Sequence, residues 1–236
     1  MKRFWEIDSD RGTTIIFMIL FNWLFALTFL NIIQFQASRE FWYLAPRIIG
    51  AMFIFIAGIS LSLSYSRRKS FSHLLKRGGK IFMLGFGITI LTFMTFPQQT
   101  IWFGILHLIG LSIILSSIFL KYPKFILPSA IIIMTVGFFL ESMSFSFSYL
   151  LWLGFPPAGF MTFDYFPLLP WFSFMLLGIY AGQKLYKNNK RNFSLPIKEN
   201  IITKFLCFLG RHSLLIYVIH QPFLIALLMV LGFRIF

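Results

Sequence analysis

An amide, two imidazoles and a carboxylate stand within or at the mouth of long apolar runs, where such side chains are costly to hold and must find partners or line a wet cavity. Asn22 interrupts FMILFNWLF, His107 lies in FGILHLIGLS, His220 in SLLIYVIHQP, and Asp164 opens DYFPLLPW. Each type has a chemistry to offer. A carboxamide N–H can donate to an oxygen that gains negative charge as a reaction proceeds, and an imidazole or carboxylate can carry a proton to or from a reacting group. Each also has a plainer role: Asn or His can hydrogen-bond a neighbouring helix, and Asp164 can cap a helix beginning at Tyr165 or Phe166. A second constellation, Glu6, Asp8, Asp10, Arg11 and Gly12, stands just ahead of the first apolar run. Three carboxylates there would also complement the positive end of a helix.

The elements that must position these residues are seven apolar runs, at 13–33, 48–65, 81–96, 101–120, 125–140, 166–185 and 213–233. Each is near the ~20 residues needed to span a bilayer core of ~30 Å. In lipid the backbone must pair within its own segment, so the runs are expected to be helices, and the fold class is an all-α, polytopic membrane bundle of about seven spans in one domain, 1–236. A composition of 58% hydrophobic, 20% aromatic and 12% charged residues excludes a soluble domain of this size. The first run is too long for the apolar region of a secretory signal and follows charges of both signs, so the N-terminus is expected to stay in place. The lone Cys207 has no intramolecular partner and no metal-ligand spacing exists, so no metal is expected.

Charge gives the orientation. The net charge of +14 follows from 21 Lys and Arg against 7 Asp and Glu. With the N-terminus in the cytoplasm, eighteen of the basic residues fall on the inner face, leaving Arg39, Arg47 and Arg234 outside. That bias is the positive-inside rule at work, and it removes nucleic acid from the list of partners. The same inner cations also suit anionic headgroups or a phosphorylated ligand. On this topology Asn22 lies ~14 Å into the first helix, and His107 and His220 lie ~9 Å from the outer end of the fourth and the inner end of the seventh. The polar stretch 184–200 reads as a cytoplasmic loop, and 201–209 as a helix lying along the inner interface. The aromatic, Gly- and Pro-containing segment 142–164 reads as a structured outer cap; an eighth span there would set Glu141 or Asp164 against the charge pattern.

The string EIDSDRGTTIIFMILFN at 6–22 resembles the opening of the membrane-bound heparan-α-glucosaminide N-acetyltransferase family and its compact prokaryotic relatives. In that family an Asp, an Arg-Gly three residues later and a polar residue eleven after the Arg begin the first helix; Asp8, Arg11, Gly12 and Asn22 fit the spacing. FIFIAGISLSLS at 53–64, FGILHLIGLS at 103–112, DYFPLLPWFSFMLLGIYAG at 164–182 and SLLIYVIHQP at 213–222 are similar to later helices of the same family, in the same order.

The resemblance implies transmembrane acetylation: acetyl-CoA is the cytoplasmic acyl donor, and an extracytoplasmic amino sugar, glycan or glycolipid is the acceptor, in a multi-pass protein of the cell membrane surrounded by lipid. On that reading Asp8, Arg11, Arg67, Arg68, Arg77 and Lys80 are the cofactor-binding candidates, the cations answering the phosphates of CoA. Asn22, Asp164, His107 and His220 are the catalytic candidates, with Asn22 as donor to the thioester oxygen. The chain departs from the family in one respect: the heparan enzyme's histidine in the outer loop between its first two helices has no counterpart in 31–47. The base then falls to Asp164, Glu141, Glu40 or His107, unless the reaction has been lost. A small transporter or lipid-handling protein and a non-catalytic family member are the rival classes, and a homodimer is left open.

Overall fold

In a computed structural model the described residues are 4–67, 69–187, 190–195 and 200–233. Arg68 and part of the inner basic set, including Lys2, Arg3 and Lys198, lie outside them, as does Arg234. The described chain is helical nearly throughout: α1 Trp5–Phe29, α2 Arg39–Arg67, α3 Phe71–Thr95, α4 Ile105–Lys121, α5 Ile126–Glu141, α6 Leu168–Leu185, α7 Ile201–Arg211 and α8 Ser213–Val230. A two-stranded hairpin, β1 Tyr186–Lys187 with β2 Lys190–Arg191, follows α6.

Each of the seven expected runs falls on one of these helices. Five segments are long and apolar enough to cross a membrane: Trp5–Phe29, Arg39–Arg67, Phe71–Thr95, Pro123–Glu141 and Ser213–Val230. The other two runs lie on α4, which is apolar but has 17 residues, and on α6, whose last turn is diluted by Gln183 and Lys184. α7 is the added helix. Asn200 opens it by accepting from the Thr203 N–H at 2.9 Å while the Thr203 hydroxyl lies 2.8 Å from the Asn200 N–H, the reciprocal arrangement of a capping box.

The chain divides into two compact units, Met1–Phe53 with Leu195–Phe236, and Ile54–Ser194. The first holds α1, the start of α2, α7 and α8. Here α7 packs on α1 at the closest range backbone allows: a Cβ on Gly12 would meet the Leu206 carbonyl, and one on Gly210 would meet the Asp8 carbonyl. Small residues at helix crossings are how membrane helices gain packing where lipid offers no hydrophobic drive. Cys207, buried in the same seam, donates its thiol to the Trp5 carbonyl at 3.1 Å. α7 turns Leu206, Cys207 and Gly210 inward and leaves the apolar Ile201, Ile202, Phe205 and Phe208 exposed.

The second unit holds the rest of α2 with α3–α6. Gly78 and Gly110 let α3 and α4 cross with each backbone against the other, and Gly178 meets the Phe55 carbonyl where α2 crosses α6. The segment 142–167 is a folded cap with one short 3-10 turn, Leu151–Leu153, and no spanning helix. Phe145 N–H donates to the Pro156 carbonyl at 3.1 Å, and Ala158 N–H to the Phe145 carbonyl at 3.3 Å.

Candidate functional site

At the start of α1, Glu6 and Asp8 occupy the first turn, where acids complement the helix end. Asp8 is 6% exposed, and a carboxylate so buried needs cations. It has two. Arg11, one turn along, brings Nη1 to 3.7 Å of Oδ1, and Arg211, the last residue of α7, brings Nε to 3.5 Å of Oδ2. The glycine seam explains the second contact, because Gly210 against the Asp8 backbone leaves the next side chain beside the Asp8 carboxylate. The Arg211 side chain is half exposed. Asp8 holds the two guanidinium groups in place, and their remaining N–H donors can meet an anion.

Fourteen residues beyond Asp8, Asn22 spends one amide hydrogen on its own helix, Nδ2 donating to the Met18 carbonyl at 2.9 Å. A carboxamide carries two, so one remains for a ligand. The next residue, Trp23, donates its indole N–H across to the His220 carbonyl at 3.3 Å, and its ring stacks on Phe223 at 6.2 Å. The turn of α1 that bears Asn22 therefore rests on the turn of α8 that bears His220. The His220 side chain is buried, with Nδ1 2.6 Å from the Tyr217 carbonyl. A carbonyl only accepts, which assigns the hydrogen to Nδ1 and the lone pair of the neutral ring to Nε2. Nε2 is buried and has no hydrogen-bond partner among the described residues.

The polar residues of the second unit meet at the start of α4. Asp164 Oδ2 accepts from the Ile105 N–H at 2.9 Å. It therefore caps α4 from 59 residues away instead of a helix at 165 or 166, since α6 begins only at Leu168. His107 closes the same end, Nδ1 accepting from the Gly104 N–H at 3.3 Å. That contact fixes the hydrogen on Nε2, which lies 3.4 Å from Thr89 Oγ1, while the Thr89 hydroxyl donates to the Ile101 carbonyl at 2.6 Å. Both ring nitrogens of His107 are thus engaged, and the rings of Phe82, Phe86 and Phe103 surround it at 5.3 to 6.3 Å.

The cap laces onto this end through Thr162 Oγ1 to the Thr100 carbonyl at 2.8 Å, Phe163 N–H to Gln99 O at 3.3 Å and Phe166 N–H to Phe103 O at 3.1 Å. Tyr165 donates its hydroxyl to the Leu151 carbonyl at 2.8 Å. Burial, with Glu141 nearby, pushes its phenol above the usual range, so it remains a donor.

The structure thus joins Asp8 with Arg11, Asn22 with His220 through Trp23, and Asp164 with His107 through the first turn of α4. Arg67 ends α2, and Arg77 and Lys80 lie in the early turns of α3, all in the second unit. Glu40 is exposed in the first turn of α2, and Glu141 ends α5. Arg211 is the site residue that sequence reasoning left in the general cationic set. Its pairing with Asp8 carries no local signal, the two being joined only by the α1–α7 crossing. Among the described residues no group of three His, Cys, Asp or Glu side chains is placed to hold a metal ion.

In comparisons with known proteins, the family model described as "Heparan-alpha-glucosaminide N-acetyltransferase, catalytic" matches residues 3–222. No curated protein and no solved structure matches the chain.

Proposed function

The chain belongs to the heparan-α-glucosaminide N-acetyltransferase family, matched over nearly its whole length, and from that membership we propose that it moves an acetyl group from cytoplasmic acetyl-CoA to the amine of an extracytoplasmic amino sugar, glycan or glycolipid. The observation that carries the reading is the reach of the match, from Arg3 through Asp8, Arg11 and Asn22 to His220 and Pro222.

The residues suit the chemistry. CoA presents several phosphate charges, and two groups of cations are candidates to meet them: Arg11 and Arg211 beside Asp8, or Arg67, Arg68, Arg77 and Lys80 in the basic segment between the second and third apolar runs. Its pantetheine arm is long and largely uncharged, which fits passage along apolar helices to the level of Asn22. There the spare amide hydrogen of Asn22 would donate to the thioester oxygen as the acceptor amine adds to the carbonyl carbon and charge develops on that oxygen. Asp164 and His107 are engaged in capping α4, which leaves them a structural role. The membrane is the cell membrane, with the N-terminus in the cytoplasm as the positive-inside bias requires.

The missing histidine of 31–47 favours one rival, a member that binds CoA or other membrane proteins without transferring acetyl. A single assay separates the readings. The purified chain in lipid nanodiscs is incubated with acetyl-CoA and glucosamine, and free CoA thiol and N-acetylated sugar are measured. Equal amounts of the two products are expected. Acetyl-CoA that is bound yet stays intact would leave a carrier, and no binding at all would leave a scaffold.

A further inference from the structure

Resting on that acetyltransferase reading, the reaction needs a group that takes a proton from the acceptor amine, and the family's outer-loop histidine is missing from 31–47. The described side chains narrow the choice. His107 uses Nδ1 on Gly104 and Nε2 on Thr89, so it has no lone pair to offer without undoing the α4 terminus. Asp164 is committed to the Ile105 N–H. Glu40 is exposed in the first turn of α2, in water and not in a buried site.

His220 differs from all of these. It is 8% exposed, its Nδ1–H is held by the Tyr217 carbonyl at 2.6 Å, and its Nε2 is buried with no partner among the described residues. A protein that buries a ring nitrogen ordinarily satisfies it, and one left open on a ring whose tautomer is already fixed is prepared to accept a proton. Its place agrees. Trp23 Nε1 on the His220 carbonyl holds this turn of α8 against the turn of α1 that carries Asn22, so an oxyanion donor and a proton acceptor come from neighbouring turns of adjacent helices.

We propose that His220 is the catalytic base of acetyl transfer, with the Tyr217 carbonyl as the group that orients it. The neutral acceptor amine adds its nitrogen lone pair to the thioester carbonyl carbon, forming the N–C bond as the C=O electron pair moves to oxygen. His220 Nε2 takes the N–H proton. The oxyanion then collapses, the C–S bond breaks, and the CoA thiolate leaves and receives that proton from the imidazolium. The products are the N-acetylated sugar and the free thiol, with no net gain or loss of protons.

The test uses the full chain in nanodiscs with two acceptors, glucosamine and hydroxylamine; the second is neutral and strongly nucleophilic, so it depends far less on a base. His220→Gln is expected to bind CoA as the parent does and to lower kcat for glucosamine by ~10²–10⁴-fold, the usual worth of a positioned base, while transfer to hydroxylamine falls much less. His220→Asn serves as a second variant should Gln not fold, and nitrogen NMR of histidine-labelled parent protein should show His220 as the neutral ring protonated at Nδ1. Equal loss with both acceptors, parent-like rates with glucosamine, loss of CoA binding along with turnover, or a hydrogen found on Nε2 would each overturn the proposal and leave the acetyltransferase reading standing. A parent protein that releases no thiol with either acceptor would instead overturn that reading, and this proposal with it.

Discussion

His107 and His220 share a residue type, deep burial and a position inside an apolar helix, yet their surroundings assign them opposite work. The ring of His107 is closed at both nitrogens by Gly104 and Thr89 and walled by phenylalanines, so it finishes the first turn of α4 together with Asp164. The ring of His220 is closed at one nitrogen only. Burial alone therefore does not mark a reacting group. What separates the two regions is whether the second ring nitrogen meets a partner. The start of α4 in the second unit is a structural knot, and the α1–α8 pair of the first unit is where the proposal places proton and oxyanion chemistry.

That contrast breaks most sharply at Asn22. Asn22→Ala is expected to lower kcat for acetyl transfer by ~10²–10³-fold, the loss typical of one oxyanion donor, with CoA affinity unchanged. Equal loss of binding and turnover would make Asn22 a structural amide through its bond to Met18, and the first unit would then look like the second.

Next in size is Gly210→Val. The new side chain would press on the Asp8 backbone, which cannot rotate away as a side chain can, and overpacking of this kind costs ~1–3 kcal/mol. A lower midpoint in thermal unfolding is expected, along with weaker CoA binding as Arg211 leaves Asp8. A stable protein with normal CoA binding would detach the Asp8, Arg11 and Arg211 cluster from the donor site.

On the other side of the comparison, Asp164→Ala removes the cap of α4 and should cost about 1 kcal/mol of stability. Transfer should survive in the protein that remains folded, and His107→Gln should behave the same way. Kinetic collapse with unchanged stability in either variant would move the chemistry to the start of α4 in the second unit.

The smallest effect is expected from the basic stretch that joins the second and third apolar runs. Neutralising Arg67, Arg68 and Arg77 together should weaken CoA binding modestly and flatten its dependence on salt, because charge–charge attraction is screened by mobile ions. Unchanged affinity and an unchanged salt slope would reduce them to setting orientation.

Much of this was legible before any coordinates. Seven apolar runs in a chain this hydrophobic leave helices as the backbone's way to satisfy itself, so the runs and the α-helices coincide. The family was readable from strings that keep their order along the chain. The limit of that reading shows at Asp164. Its cap could be assigned from sequence only to the helix that follows it, because local spacing says nothing of a backbone N–H 59 residues earlier.

The same limit separates what the sequence by itself determined from what tertiary structure decided. Hydropathy and charge are sums over neighbours along the chain, and they settle the helices and which polar residues are costly enough to ask about, while the family rests on the match over residues 3–222. The pairing of Asp8 with Arg211, the closure of His107 and the open nitrogen of His220 are decided by contacts between helices. Those contacts depend on where Gly12 and Gly210 let two backbones touch and on which carbonyl each ring finds, distances that no one-dimensional pattern contains.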